Sequence, residues 1–143
     1  MPFRRIMVPY DGSKQSERAF KKALLIAKKD GSSIDLVTCL QAVQKIWFVN
    51  IGYDKSVLQK HKDAAKSNMS RLELDAKKNG VKARATIIVA QSAVNPLLSF
   101  ARKHSADLIV MGSHGRTGLN KLFLGSVANG ILGGADCPVL IVK

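Results

Sequence analysis

Apolar and polar positions alternate along this chain in a pattern that predicts five strands and four helices. Short apolar runs predict the strands, and they cover 6–10, 33–40, 81–89, 107–111 and 138–142. Between them, apolar residues recur every three or four positions, which is typical of helices that pack one face on a sheet. The order of elements is therefore β-α-β-α-β-α-β-α-β.

This alternation predicts an α/β fold: a single open, doubly wound, five-stranded parallel sheet with helices on both faces. The runs 107–111 and 138–142 lack polar alternation, as strands covered on both sides do. We expect the strand order 3-2-1-4-5. The chain has 143 residues, which suffice for one core but not for two ordinary ones, so we expect a single domain over 1–143.

Local sequence signals predict several helix ends. Ser13 is the expected N-cap of the first helix, and Gly31 is its expected C-terminal stop. Asn95 is the expected cap of the third helix, with Pro96 in its first turn. The segment 41–54 has no clear period, and we interpret it as an apolar connection.

The second predicted helix, 55–79, contains a histidine on its apolar stripe. No second His or Cys lies one turn from His61, so we interpret it as a partly buried structural histidine and not a metal ligand. The stripe consists of Val57, His61, Ala64, Ala65, Met69, Leu72 and Ala76.

Charge and composition limit the classes of function. The net charge is +13, from 23 Lys and Arg against 10 Asp and Glu, and it attracts nucleotides, nucleic acid, acidic proteins or anionic lipid. The basic residues are dispersed, and no basic strip interleaved with aromatic residues suits RNA stacking. A solvated basic surface is therefore the favoured interpretation, and nucleic acid is a less favoured partner.

Location is predicted from what the sequence lacks. No apolar run approaches the roughly 20 residues of a membrane span, and the N-terminal apolar run is too short for a signal peptide. Cys39 and Cys137 have no metal-type spacing, so we expect two buried thiols. We expect no membrane span and a cytoplasmic protein.

The candidate chemistry lies between Asp107 and Ser126. A short apolar run leads directly into Gly112, two residues separate Gly112 from Gly115, and nine more precede Gly125-Ser126. Glycines let backbone N–H groups approach an anion, and a helix N-terminus favours negative charge. The segment therefore predicts a phosphate site. With the expected strand order, it meets the loop 9–13 at the switch point of the sheet.

Other known phosphate and hydrolase motifs are absent from the sequence. There is no G-x-x-x-x-G-K-[ST], no G-x-G-x-x-G after the first strand and no G-x-S-x-G. His114 lies in the glycine loop, but one histidine does not make a catalytic triad. These absences disfavour a P-loop NTPase, a dinucleotide-binding Rossmann site and a serine hydrolase.

The glycine spacing resembles a known family. Gly112-x-x-Gly115, nine residues and then Gly125-Ser126 match the G-x2-G-x9-G-[S/T] nucleotide motif of the universal stress protein family. The segments 6–13, 106–115 and 137–142 are similar to that family's first strand, its most recognisable segment and its closing strand. The chain departs from the family after the third strand, where Gln91-Ser92-Ala93 replaces the usual Gly-x-Pro.

The resemblance implies an ATP-binding member, holding ATP (or ADP or AMP) with Mg²⁺. Asp11 would lie near ribose and adenine, Cys39 would contact adenine through its backbone, and Met111 would lie beside the ribose. Gly112 would lie on the ribose side with Met111, and Gly115, Gly125, Ser126 and Val127 would hold phosphates. Arg116 and Lys121 are added because their charges suit phosphate. No catalytic residue or metal ligand is assigned, and the expected site is Pro9, Asp11, Cys39, Met111, Gly112, Gly115, Arg116, Gly125, Ser126 and Val127.

Several alternatives stay open. Asp11 could instead cap the first helix, and the glycines could be simple turn residues. The favoured function is a stress-response regulator whose nucleotide state orders the 113–124 loop and which meets a regulatory protein partner. Alternatives are a slow ATPase or self-phosphorylating enzyme, or a charge-driven binder of nucleic acid or membrane surfaces. The edge strand Pro138–Val142 is expected to form a homodimer, as the resemblance also implies.

Overall fold

The fold comes from a computed structural model, which describes residues 2–41, 55–114 and 124–143. Its strands all run parallel in the order β3-β2-β1-β4-β5, which confirms the predicted α/β fold and strand order. Most of the connection 41–54 lies outside the described residues. The elements are β1 Arg5–Pro9, α1 Lys14–Asp30, β2 Ser33–Gln41, α2 Lys55–Lys78, β3 Ala83–Ala90, α3 Val94–Lys103, β4 Leu108–Gly112, α4 Ser126–Gly134 and β5 Val139–Val142.

Two apolar layers cover the two faces of the sheet. Successive side chains of a strand point to opposite faces, so Ile6 and Val8 of β1 join one layer while Met7 joins the other. The first layer contains Phe20 of α1 and Met69 of α2. The second contains residues of α3 and α4. Both faces of β1 are therefore buried, which explains its continuous apolar run.

The ends of α1 confirm the sequence signals. Ser13 is the N-cap, and its hydroxyl accepts a hydrogen bond of 3.1 Å from the Ser16 N–H. Gly31 ends the helix in the left-handed region at φ 74°, where its N–H donates to the Ala27 carbonyl at 2.8 Å. A side chain at this φ would be strained, which accounts for the glycine.

The predicted cap of α3 is wrong. The helix begins at Val94, so Asn95 already lies inside the first turn and Ala93 is the N-cap, without a side-chain hydrogen bond. The reason is packing: Ala93 is buried in the second apolar layer and fixes the start of the helix there. Pro96 does lie in the first turn, as predicted.

The stripe on α2 is buried in only half of the helix. Met69, Leu72 and Ala76 are buried as predicted, but His61 is exposed, so its prediction as a partly buried structural residue is wrong. At about 1.5 Å per residue the 24-residue helix is longer than the strands that it covers. Its N-terminal half has no sheet beneath it.

The strand β5 lies at an edge of the sheet, as predicted, and Leu140 on it is exposed. Homodimerisation through this edge stays a prediction, which light scattering at micromolar concentration would test.

Candidate functional site

A cavity of about 560 Å³ opens at the carboxyl ends of β1, β2 and β4. This is the switch point of the sheet, because β1 pairs with β2 on one side and with β4 on the other. Gly115, Arg116 and Lys121 of the predicted site lie outside the described residues. The predicted residues that line the cavity are Pro9, Asp11, Cys39, Met111, Gly112, Gly125, Ser126 and Val127.

The loop after β1 is a rigid turn. The Asp11 Oδ1 atom accepts a hydrogen bond of 2.9 Å from the Ser13 N–H, and Gly12 between them has φ 83°. Since Ser13 caps α1, the alternative that Asp11 is the cap is wrong. The turn holds the exposed Asp11 at the mouth of the cavity, directly before the N-terminus of α1.

Gly112 brings β4 and α1 into close contact. A Cβ atom built on Gly112 would lie 2.7 Å from the Gln15 Cβ and 3.0 Å from the Gln15 carbonyl carbon. No side chain fits at that distance. Gly112 therefore has a packing role: because it has no side chain, the first turn of α1 can lie beside the end of β4.

The N-terminus of α4 also opens into the cavity. Gly125 is its N-cap, and the Gly125 N–H donates to the Ser113 carbonyl at 2.8 Å. That donor therefore braces the loop end in this structure, and the role of the Gly125 N–H at a phosphate stays a prediction. Ser126 and Val127 lie in the first turn, where N–H groups have no acceptor within the helix and the dipole favours an anion.

His114 is a cavity residue that the sequence analysis did not assign. Its Nδ1 atom lies 2.9 Å from the Ser113 hydroxyl, and its Nε2 atom is buried without a hydrogen-bond partner in the described part of the chain. In the tautomer where the Ser113 hydroxyl donates to Nδ1, Nε2 carries the proton. A buried N–H of this kind lacks an acceptor, and an anion in the cavity would supply one.

The second helix forms another wall that was not predicted. His61, Ala64, Ala65 and Asn68 of α2 line the cavity opposite α4. The helical period that put His61 on an apolar stripe was correct, but the stripe faces the cavity there and not the sheet. Spacing of three and four residues was the only sequence signal for this wall.

The thiol of Cys39 lies at the cavity on β2. Its Sγ atom is 3.9 Å from the Ser92 carbonyl oxygen, and burial raises the pKa of the thiol. The group therefore stays neutral at physiological pH. Both cysteines are free and half-buried, so the prediction that both thiols are buried is wrong.

A hydrogen-bonded network ties the loop after β1 to both helices of the first layer. The Tyr10 hydroxyl donates to Glu17 Oε1 at 2.6 Å, and Arg71 of α2 donates to the same oxygen at 2.5 Å. Burial, then the bond to Glu17, raises the pKa of Tyr10 to about 12. Burial opposes ionisation of Glu17, but the bonds from Tyr10 and Arg71 outweigh it and lower the pKa of Glu17 below its usual 4.5.

Replacing Glu17 with glutamine is expected to cost about 1 kcal/mol of unfolding free energy near neutral pH, since hydrogen bonds to a charged group are lost. The expected loss of unfolding free energy is small because Arg71 is 53% exposed and solvent screens its ion pair with Glu17. Because the folded pKa of Glu17 is depressed, its contribution is present above pH 4.5 and disappears as pH falls through the folded pKa. The raised pKa of Tyr10 gives a second contribution, present below pH 10 and lost as pH rises through about 12.

Urea unfolding of wild type and Glu17→Gln across pH measures this difference. Asp136→Asn is the matched control, because it removes the exposed ion pair of Arg102 with Asp136 and should change stability much less. A difference for Glu17→Gln that stays constant from pH 3 to pH 7, around the usual pKa of 4.5, would show that its charge is not the cause.

Within residues 2–41, 55–114 and 124–143, no three His, Cys, Asp or Glu side chains lie close enough to hold a metal ion. No helix among the same residues is long and apolar enough to span a membrane.

Comparison with known proteins places the whole described fold in one family. The model of the universal stress protein family matches residues 2–143. Universal stress protein MJ0531 of Methanocaldococcus jannaschii is 33% identical over 141 residues, which are 99% of this chain and 82% of that protein. Among solved structures, UspA of Lactobacillus plantarum superposes with a TM-score of 0.88 at 20% identity, covering 100% of this chain and 99% of its own.

Another solved structure with this fold was determined with a bound nucleotide. The universal stress protein of Archaeoglobus fulgidus in complex with dAMP superposes with a TM-score of 0.69 at 23% identity, covering 100% of both chains. At that identity, the similarity supports the fold alone.

Proposed function

Since the chain belongs to the universal stress protein family, we propose that it binds an adenine nucleotide, preferably ATP, and acts as a regulator in the stress response. One observation carries this proposal: the ends of β1 and β2 and the N-terminus of α4 line the same cavity. An adenosine group needs a partly apolar pocket, and phosphates need N–H donors at a helix N-terminus. A protein of the same fold, from Archaeoglobus fulgidus, was solved in complex with dAMP, and we propose the same ligand class here because this chain has a cavity with the features that such a ligand needs.

The proposed roles follow the positions around the cavity. Adenine lies against the backbone of Cys39, and ribose lies between Asp11 and Met111. The phosphates lie at the first turn of α4, where Ser126 and Val127 donate. The volume of about 560 Å³ suits a ligand of this size.

Three further groups complete the proposal. His114 Nε2 is a phosphate donor in the tautomer that carries the proton there. Gly115 and Arg116 keep their sequence-based roles at the phosphates. Mg²⁺ usually enters on the phosphates and keeps several waters, which requires no cage of protein ligands.

The regulatory step and the chemistry stay predictions. We propose that bound nucleotide changes the surface formed by the 113–124 loop, most of which lies outside the described residues, and that a protein partner reads this surface. Any ATP hydrolysis is proposed to be slow, since Asp11 is the one carboxylate among the described cavity residues. A turnover assay that gave fast hydrolysis, lost in Asp11→Ala, would contradict this.

Titration calorimetry and thermal unfolding with ATP, ADP, AMP, adenosine and GTP, each with and without Mg²⁺, test the binding proposal. ATP is expected to stabilise the fold by about 2.7 kcal/mol at one hundred times its Kd. Adenosine should bind more weakly because it lacks phosphates. The proposal fails if millimolar ATP with Mg²⁺ gives neither heat nor stabilisation, or if GTP binds as tightly as ATP.

A further inference from the structure

The solvent face of α1 carries only cations and one leucine. The buried residues of the helix, which include Ala19, Phe20, Ala23 and Ala27, define the opposite face. Because successive residues of a helix are 100° apart, the positions between these buried residues point away from the sheet. The exposed residues there are Lys14, Arg18, Lys21, Lys22, Lys28 and Lys29 with Leu25, and we call them the cationic face of α1.

The carboxylates of α1 do not neutralise this face. Glu17 is held by Tyr10 and Arg71 on the flank of the helix. Asp30 accepts a hydrogen bond of 2.9 Å from the Phe3 N–H, just before the start of the central strand β1. Both acidic side chains of the helix are therefore engaged inside the fold, and the six outward cations face solvent together.

Leu25 lies at the centre of the cationic face. Its side chain is 64% exposed, the largest exposed fraction of any large apolar residue in the described part of the chain. The positions three and four residues away on either side, which are its neighbours on a helix surface, are Lys21, Lys22, Lys28 and Lys29. An exposed leucine surrounded by four lysines has no role in the core of this fold.

The other side of the sheet has a different character. Its helices α3 and α4 contain only two basic residues, Arg102 and Lys103, and Arg102 forms an ion pair with Asp136 at 2.7 Å. The positive charge of the described helices therefore lies mainly on the opposite side of the sheet, on α1 and α2. The helix α2 mixes its basic residues with the exposed carboxylates of Asp63 and Asp75, whereas the exposed residues of α1 include no carboxylate.

We propose that the cationic face of α1 docks the protein on an anionic lipid surface. The lysines lie among the anionic headgroups, and Leu25 enters the layer between headgroups and acyl chains. The helix is about 25 Å long and lies along the protein surface, so its outward side chains can reach one plane together.

Three observations favour lipid over nucleic acid. Five of the six cations are lysines, which act as point charges, whereas nucleic-acid recognition favours the planar fork of arginine. A leucine at the centre suits an acyl layer and not a phosphate backbone. The exposed large apolar residues of the described chain include no aromatic side chain on which a base could stack.

Flotation with phosphatidylcholine vesicles, with and without phosphatidylglycerol, tests this proposal on the full chain. Binding is expected only to the anionic vesicles and should fall steeply with salt. Lys22→Gln with Lys29→Gln should weaken binding roughly twenty-five-fold, because each lysine near the surface contributes roughly fivefold. Leu25→Ala should weaken it roughly tenfold through lost apolar insertion.

Matched variants on the other side of the sheet are the controls. Lys103→Gln with Lys143→Gln removes the same charge, and Leu132→Ala removes a leucine that is 42% exposed on α4. Equal losses in test and control pairs would overturn the proposal, because net charge alone would then explain binding. Binding to duplex DNA but not to anionic vesicles would also overturn it. Thermal unfolding of the same variants with ATP tests the nucleotide site separately. Stabilisation by ATP equal to that of wild type would show that a loss of vesicle binding does not come from that site.

Discussion

Replacing Gly112 with alanine is expected to destabilise the protein by about 1–3 kcal/mol and to weaken ATP binding severely. The new Cβ would lie 2.7 Å from the Gln15 Cβ and 3.0 Å from the Gln15 carbonyl carbon. The second contact is with backbone, so a rotamer change of Gln15 cannot relieve it. The first turn of α1 must move away from β4, and that turn follows directly on the loop that carries Asp11.

Denaturant unfolding and ATP calorimetry of Gly112→Ala measure the two effects. Gly133→Ala is the matched control, because Gly133 lies in α4 and a Cβ there would meet nothing within 4 Å. Alanine has the higher helix propensity, so Gly133→Ala should stabilise the fold by roughly 0.5–1 kcal/mol and leave ATP binding unchanged. If Gly112→Ala unfolds at the wild-type denaturant concentration, the close packing of α1 on β4 is refuted.

The positions of the strands and the ends of α1 could be predicted because they depend on local patterns, and the strand order was predicted from the doubly wound topology that alternating strands and helices favour. An apolar run marks a strand wherever it packs, and Ser13 and Gly31 satisfy backbone groups only a few residues away. The glycine spacing likewise predicted that Gly112 and Gly125 belong to one site, and both line the same cavity. For the strand positions and the helix ends, the physical cause lies within one or two turns of the chain.

The contacts that depend on the relative placement of elements could not be predicted. His61 has the correct period for a buried stripe, and only the overhang of α2 beyond the sheet turns it towards the cavity. The Gly125 N–H donates a hydrogen bond of 2.8 Å to the carbonyl of Ser113, the residue after β4, and this contact depends on how α4 lies relative to β4. The Cβ clash at Gly112 likewise depends on where α1 lies.

Replacing Ser126 with proline is expected to weaken ATP binding about a hundred- to ten-thousandfold and to leave adenosine binding unchanged. Proline removes the N–H and the hydroxyl of Ser126, and hydrogen bonds to a charged group each contribute about 1.5–3 kcal/mol. The fold should tolerate the change, because Ser126 is the first residue of α4, where proline is favourable. Gly125 before it has φ −64° and ψ 161°, a conformation preferred before proline.

Two variants separate the causes in calorimetry with ATP and adenosine. Ser126→Ala removes the hydroxyl and keeps the N–H, so it should lose less affinity than Ser126→Pro. Lys14→Pro places proline at the first position of α1 after Ser13, which has φ −72° and ψ 161°, and should preserve both affinities. Because the proposal places the phosphates at the α4 N-terminus, only ligands with phosphates should distinguish Ser126→Pro from wild type. Equal loss of ATP and adenosine affinity would mean that the substitution distorts the cavity, and unchanged ATP affinity would place the phosphates elsewhere.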